Sequence, residues 1–154
     1  MNIRFLNAKE KKKLIGELHE RFGISDMKDY LLLETGKEKI RAFSGSFTRE
    51  DILALGEIAN VEIIGMYFAK RDFVLRLSFD ALHLLKEQIN KNIIEINDKE
   101  FEDWIRGKVI EKNVDSGIYV IKFNDDFLGC AFSNGKKLLN FVPKERQVRD
   151  KTQR

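Results

Sequence analysis

Cysteine and histidine are scarce in this chain of 154 residues, and their scarcity excludes several kinds of site. Cys130 is the single cysteine, so the chain cannot form an internal disulfide. His19 and His83 are the two histidines, too few to complete a Cys/His zinc site at any usual spacing. Cys130 lies in an apolar stretch, which predicts a small buried hydrophobic side chain. We therefore expect no disulfide scaffold and no metal site.

Long apolar runs are also lacking. No stretch approaches the ~18 consecutive apolar residues of a membrane span. The first residues have neither the apolar core nor the cleavage site of a secretory signal. We therefore expect a cytoplasmic protein with no membrane partner. The hydrophobic fraction of 43% is nevertheless large enough for a packed core.

The common catalytic motifs are missing as well. The chain has no P-loop, no H-E-x-x-H motif, no Ser-His-Asp arrangement and no glycine-rich strand-to-helix turn. Asp125 and Asp126 form a carboxylate pair, but adjacent carboxylates in a turn are usually solvated. His83 lies among leucines of a predicted helix and is interpreted as a partly buried structural histidine. The sequence predicts no cofactor and no catalytic centre.

Charge is distributed unevenly, although the net charge is only +3. Residues 87–133 carry 6 Lys/Arg against 10 Asp/Glu, a net of −4, whereas residues 134–154 carry 7 against 2, a net of +5. A basic end beside an acidic stretch indicates either a polyanion-binding face or a solvated, frayed tail. Composition alone leaves both interpretations open.

Residues 1–87 show alternating helix and strand signals and are predicted to form an α+β domain. Asn7 and Glu10 make a capping box, since each side chain can bind an unpaired backbone N–H of the first turn. The predicted elements are a helix from Asn7 to about Phe22, a hairpin of 30–34 and 39–43, a short helix from Thr48 to near Gly56, a hairpin of 61–69 and 73–77, and a helix that begins at Ser78.

Residues 86–92 are polar and aperiodic, and they mark the predicted boundary to a second domain at 92–149, followed by a basic tail at 150–154. No Gly/Ser linker separates the domains, so we expect them to touch and residues 93–154 to be able to fold alone. Asn134-Gly135 is typical of a type I′ hairpin. The predicted elements are a strand at 93–96, a helix at 101–105 after an Asn97–Glu100 capping box, and strands at 109–110, 118–123, 127–133 and 137–142. Short strands with tight turns predict a small mixed β-barrel with one or two short helices.

The end of this barrel is the most informative segment. Pro143 cannot donate to a strand ladder, so sheet pairing should stop there. Lys144 and Arg146 would then project from a strand end and share one face if the chain stays extended, where they can bind a backbone phosphate. Phe132 and Phe141 can stack on bases, but aromatic residues in such short strands are more often part of the core.

Four segments of the second half resemble a PUA domain: 101–107 (FEDWIRG), 117–120 (GIYV), 128–130 (LGC) and 139–146 (LNFVPKER). More narrowly, they are similar to the PUA-like domain of the Sun/Nop family of RNA cytosine-5 methyltransferases and to freestanding archaeal relatives classed with ribosome biogenesis. The family's closing motif usually continues with an arginine where this chain has Gln147. The first 86 residues resemble more loosely the α+β domain that precedes PUA in a eukaryotic large-subunit assembly factor.

The resemblance implies a non-catalytic adaptor that binds structured RNA, either rRNA or tRNA, by backbone and groove shape during ribosome biogenesis or RNA modification. An RNA-modification enzyme or a ribosome-assembly protein is the implied protein partner. Methyltransferase activity is not implied, because the chain lacks the cofactor-binding domain. The candidate RNA contacts are Lys144 and Arg146, then Lys136, Lys137 and Arg149, then Arg106 and Lys108, with Asn140 as a donor to a sugar or base.

Three alternatives stay open at this point. The chain can be a protein-interaction module of an assembly complex, or a small enzyme with carboxylates at the domain seam. Arg146 can also have a structural role, pairing with an acidic residue such as Glu102 or Asp103 and holding the tail against the barrel.

Overall fold

The computed structural model describes residues 3–27, 30–36, 38–43, 48–58, 66–141 and 144–148. The N-terminal half contains β1 (Ile3–Phe5), α1 (Ala8–Phe22), β2 (Leu31–Thr35), β3 (Lys39–Phe43), α2 (Arg49–Ile58), β4 (Met66–Arg71), β5 (Leu75–Leu77) and α3 (Phe79–Leu84). The C-terminal half contains β6 (Ile93–Glu95), α4 (Asp98–Ile105), β7 (Ile110–Glu111), β8 (Gly117–Phe123), β9 (Asp126–Ser133), β10 (Lys137–Asn140) and a 3₁₀ turn (Lys144–Arg146). None of the described helices has the length and apolar character that crossing a bilayer requires.

The first sheet is antiparallel throughout and has the order β1-β2-β3-β4-β5. Strands that follow one another in the chain are therefore neighbours in the sheet. Helix α1 contributes Leu14, Leu18 and Phe22 to the core beside this sheet. Their spacing of four residues places them on one face of the helix, as the sequence predicts.

The second sheet has the order β6-β8-β9-β10-β7 and is a curled half-barrel. Strand β6 runs parallel to β8, whereas the other pairs are antiparallel. Helix α4 inserts Trp104 into this sheet, and its indole N–H donates to the carbonyl oxygen of Leu128 at 2.9 Å. Two sheets with helices confirm the predicted α+β class, with the barrel-type sheet in the C-terminal part.

The predicted helix starts are confirmed. The Asn7 side chain accepts the backbone N–H of Glu10, and the Glu10 carboxylate accepts the backbone N–H of Asn7. Asn97 and Glu100 form the same pair of hydrogen bonds at the start of α4. Ser78 accepts the N–H of Ala81 and begins α3. Gly23 ends α1 with a φ of +83°, a conformation that favours glycine.

Several element bounds differ from the prediction. The strand predicted at 73–77 begins at Leu75, because residues 72–74 form a bend in which the Asp72 carboxylate accepts the N–H of Val74. Strand β4 continues through the predicted turn at 70–71, and α2 continues past Gly56. Residues 61–65 lie outside the described part of the chain. His83, predicted to be partly buried, is exposed and packs its ring 4.6 Å from that of Phe79.

One buried cluster joins the two halves. Ile118, Val120 and Cys130 of the second sheet belong to the same apolar core as Leu18 and Phe68 of the first half. The opposite face of the second sheet holds a separate cluster around Trp104. Because successive strand residues point to opposite faces, β8 and β9 are buried on both sides and serve two cores at once.

The predicted boundary segment is attached to α1 and the loop that follows it. The backbone N–H of Asn90 donates to the carbonyl oxygen of Phe22 at 2.9 Å, and the Asn92 side-chain amide donates to that of Arg21. The Gln88 side-chain oxygen accepts the N–H groups of Ser25 and Asp26 at 3.0 and 2.8 Å. A division into domains at 1–87 and 92–149 stays a prediction, and so does independent folding of 93–154. Without the N-terminal half, that fragment would expose the apolar face that carries Ile118, Val120 and Cys130.

The shared core predicts that the two halves unfold together. Leu18→Ala removes a fully buried side chain from the N-terminal half and should lower the free energy of unfolding by about 2–5 kcal/mol. Trp104, the single tryptophan, reports on the C-terminal half. We expect the urea transition followed by Trp104 fluorescence to shift with that followed by circular dichroism.

Leu84→Ala is the matched control, because Leu84 is 47% exposed and its loss should change stability by less than about 0.5 kcal/mol. A Trp104 transition that does not move in Leu18→Ala would show that the halves unfold independently.

Candidate nucleic-acid interface

Lys136 and Lys137 lie at the hairpin that joins β9 to β10, and both are exposed. The Asn134 side-chain oxygen accepts the backbone N–H groups of Lys136 and Lys137 at 2.9 and 2.8 Å. The predicted hairpin is confirmed, but the predicted type I′ turn is wrong, because Gly135 has a positive φ (+97°) and Asn134 does not. Asn134 stabilises the turn with its side-chain oxygen, which accepts these two backbone N–H groups.

An open hollow of about 490 Å³ lies beside these two lysines and is also lined by Glu111, Lys112 and Asn113. Lys112 is already engaged, with its Nζ 3.2 Å from both carboxylate oxygens of Glu100. Lys136 and Lys137 form no ion pair with any residue that the structure describes. Their charges are therefore available to an external anion.

A second basic group lies where α4 ends. The backbone N–H of Val148 donates to the carbonyl oxygen of Ile105 at 2.7 Å, which holds residues 144–148 against this helix end. Gly107 has a φ of +79°, a conformation that favours glycine, and the Gln147 side chain packs against it. This contact brings Arg106 and Lys108 close to the segment that carries Lys144 and Arg146. Arg106 donates to the Glu102 carboxylate at 2.7 Å and is partly neutralised.

The two basic groups lie at opposite ends of β10. A strand rises ~3.4 Å per residue, so the ends of this four-residue strand are roughly 10 Å apart. Strand β7 runs antiparallel beside it, with Ile110 opposite Leu138 and Glu111 opposite Lys137. Strand β7 is the edge strand of the sheet, so the end of β10 that carries Lys137 lies beside a strand with one open edge.

Lys144 and Arg146 would share a face if the chain stayed extended, and the chain does not stay extended there. Residues 144–146 form a 3₁₀ turn in which the N–H of Gln147 donates to the carbonyl oxygen of Lys144 at 3.2 Å. The turn directs Arg146 towards α3, where its guanidinium lies 3.2 Å from the Asp80 carboxylate and 4.8 Å from the centre of the Phe79 ring. Arg146 therefore pairs with an acidic residue, as the structural alternative expects, but that residue is Asp80 of the N-terminal half and not Glu102 or Asp103.

Asn140 has a structural contact. Its side-chain amide donates to the carbonyl oxygen of Trp104 at 2.8 Å and ties β10 to the end of α4. A contact from Asn140 to a sugar or base stays a prediction. Arg149 and residues 150–154 lie outside the described part of the chain, as do Val142 and Pro143.

A pocket of about 300 Å³ lies between the halves. Six side chains converge on it: Tyr67, Arg76, Phe79, Asp80, Phe141 and Arg146. The sequence nominated Arg146 as an RNA contact and offered Phe141 for base stacking, but it pointed to none of the others. No sequence signal distinguishes Arg76, because a polar residue between the buried Leu75 and Leu77 is ordinary strand alternation. The pocket exists because the two halves pack together.

The residues considered for catalysis do not form a cluster. Asp125 and Asp126 are exposed at the turn between β8 and β9. Among the described residues, no three His, Cys, Asp or Glu side chains are grouped closely enough to hold a metal ion. Cys130 is 2% exposed between the two sheets, which confirms the predicted buried hydrophobe, and burial raises the pKa of its thiol to about 12.

Residues 91–147 match the protein family described as the Methyltransferase RsmF PUA domain. This chain is accordingly a PUA-domain protein, with that domain in its C-terminal part. Through it the chain is related to the Sun/Nop family of RNA cytosine-5 methyltransferases. A PUA domain supports RNA binding in general. A search of curated proteins found no match to the chain.

The raised pKa of Cys130 predicts an unreactive thiol. Thiol alkylation requires the thiolate, which is scarce at pH 8 when the pKa is about 12. We expect native protein to resist iodoacetamide at pH 8 and urea-unfolded protein to be labelled at the rate of a peptide cysteine, as measured by intact mass. Rapid, complete labelling of the native protein would contradict this burial.

Proposed function

We propose that this protein is a non-catalytic RNA-binding adaptor that acts in the cytoplasm, in ribosome biogenesis or in rRNA or tRNA modification. The observation that carries the proposal is the placement of two basic groups at the two ends of β10 in the PUA domain. Lys136 and Lys137 supply the charge that has no acidic partner among the described residues, and Arg146 with Lys108 borders the other end.

The arrangement suits a structured RNA. An A-form helix has a deep, narrow major groove that side chains cannot read, so proteins hold it by its phosphates and 2′-hydroxyls. Exposed lysines act as point charges towards phosphates, whereas a guanidinium can bind one phosphate through two N–H donors. Cations at the two ends of β10, a strand that spans roughly 10 Å, can therefore hold separate phosphates of one backbone.

The non-catalytic part of the proposal is supported by the chemistry of the same region. The Cys130 thiol has the raised pKa of a buried group, and a nucleophilic cysteine needs the opposite shift. The family match covers the PUA portion at 91–147. Recruitment of a modification enzyme or an assembly protein would then be the role of the N-terminal half.

Removing the two hairpin lysines is the first test. Lys136→Ala with Lys137→Ala should weaken binding to a fully paired RNA hairpin at every salt concentration, because two phosphate contacts are lost. If the native protein makes three to five such contacts, log affinity falls with log salt at a slope of roughly −2 to −4, and the double change should reduce that slope by about 2. Fluorescence anisotropy over a salt series measures both quantities.

Lys9→Ala with Lys12→Ala is the matched control, since it removes the same charge from the exposed face of α1. Equal losses in both double variants would indicate a general charge effect without a defined site. Binding that is flat across the salt series in the native protein would favour the protein-interaction alternative.

The second test concerns Lys144 and Arg146. Lys144→Ala with Arg146→Ala should lower the affinity for the same hairpin by about 1–3 kcal/mol. The melting temperature should hardly change, because Arg146 is 43% exposed and an exposed ion pair contributes about 0–1 kcal/mol. A large fall in melting temperature with unchanged RNA affinity would assign these residues to structure alone.

A further inference from the structure

The pocket between the two halves has walls from both. Tyr67 of β4, Arg76 of β5 and the first turn of α3 form one side, and β9 with Phe141 and Arg146 forms the other. Its volume of about 300 Å³ is at the lower end of the range for small-molecule sites. A pocket of this size accommodates one flat ring system with its substituents.

The walls are held in place by hydrogen bonds. The Ser78 hydroxyl donates to the carbonyl oxygen of Tyr67 at 2.6 Å, and the Ser78 N–H donates to that of Phe68 at 2.9 Å, which attaches α3 to β4. On the opposite wall, the N–H of Phe141 donates to the carbonyl oxygen of Cys130 at 3.4 Å. The pocket is therefore preformed, and a ligand loses little affinity to ordering it.

The lining combines aromatic faces with guanidinium groups. The Arg76 guanidinium lies 4.1 Å from the centre of the Phe141 ring and is oriented by a 2.8 Å ion pair with Asp72. Its side chain is only 16% exposed, so this stacked geometry is fixed. The Tyr67 hydroxyl has no hydrogen-bond partner among the described residues. Burial raises the pKa of Tyr67, so the hydroxyl stays protonated and can donate.

These features match a nucleotide, which is a flat π-system attached to an anion. Unstacked bases are bound on aromatic side chains and on arginine guanidinium planes, and their edges are bound by hydrogen bonds. A phosphate suits the guanidinium of Arg146, which has five N–H donors and so can keep its contact with Asp80. Among the charged residues that line the pocket, Arg76 and Arg146 outnumber Asp80.

We propose that this pocket binds one unpaired nucleotide of the RNA held by the PUA domain, with its base against Tyr67 and the Arg76–Phe141 stack and its phosphate at Arg146. The inference rests on the proposed function. Arg146 belongs to the basic group at the end of α4 and also lines the pocket, so an RNA backbone bound at Arg146 lies next to the pocket. A paired base cannot enter, since its edge and faces are occupied in the helix.

The experiment compares two RNA hairpins, one with a single unpaired nucleotide in its stem and one with that nucleotide deleted, each of the four bases being tried. The native protein should bind the first about tenfold more tightly, as expected for one stacked base. Tyr67→Leu should abolish this preference and leave affinity for the paired hairpin unchanged. Phe73→Leu is the matched control, because Phe73 is an exposed aromatic residue that packs on Phe132 outside the pocket.

A second measurement needs no variant and so is independent of any folding defect. A photoreactive 5-iodouridine placed at the unpaired position should crosslink the native protein at peptides that contain Tyr67, Phe79 or Phe141, as identified by mass spectrometry. Crosslinks confined to the 134–137 hairpin would overturn the proposal.

The remaining outcomes separate the pocket from the proposed function. Equal affinity of the native protein for both hairpins, or a preference that survives Tyr67→Leu, overturns the pocket alone. Failure to bind either hairpin overturns both proposals. A free mononucleotide that binds as tightly as the hairpin with the unpaired base would assign the pocket to a small molecule and overturn an RNA ligand.

Discussion

The structure depends on the apolar contact between the second sheet and the core of the N-terminal half. Val120 and Ile118 place their side chains in the cluster that contains Phe22, Leu18 and Phe68. Each buried aliphatic or aromatic side chain contributes about 1.5–3 kcal/mol relative to an exposed one. An interface built from several such residues contributes more stabilising free energy than any ion pair on this surface. It therefore determines how the two halves pack against each other.

The electrostatic features follow from that contact. The packing brings α3 to the end of β10, so Asp80 meets Arg146, a residue 66 positions away in the chain. It also brings Arg76 over Phe141. Both arginines are thereby oriented at the seam, whereas Lys136 and Lys137 project from a hairpin and form no ion pair with any described residue. The molecule therefore presents an open set of lysines and an enclosed set of arginines, two environments that suit phosphates and an unstacked base respectively.

Sequence patterns that extend over a few residues predicted most of the helices and strands. The capping boxes at Asn7 and Asn97 were predictable because both partners lie within three residues of each other and the hydrogen bonds are local. The Asn134 hairpin was predictable, but its turn type was not, because a side-chain cap competes with the left-handed conformation at the same residue. The condition for Lys144 and Arg146 to share a face, an extended chain, is not met, since contacts with α4 and α3 hold this segment as a turn.

What the sequence by itself determined is the α+β class, the helix starts, the buried Cys130 and the relation of residues 91–147 to PUA domains. These features depend on residue type and on spacings of a few positions, so the interactions behind them lie within one helix, strand or turn. Only the tertiary structure decided that one core spans both halves, that Asp80 is the partner of Arg146, and that Tyr67 and Arg76 face Phe141 across a pocket. The residues of each of those pairs are far apart in the chain. The alternation of apolar and polar residues along a strand predicts that one face is buried, but it does not predict which element packs on that face.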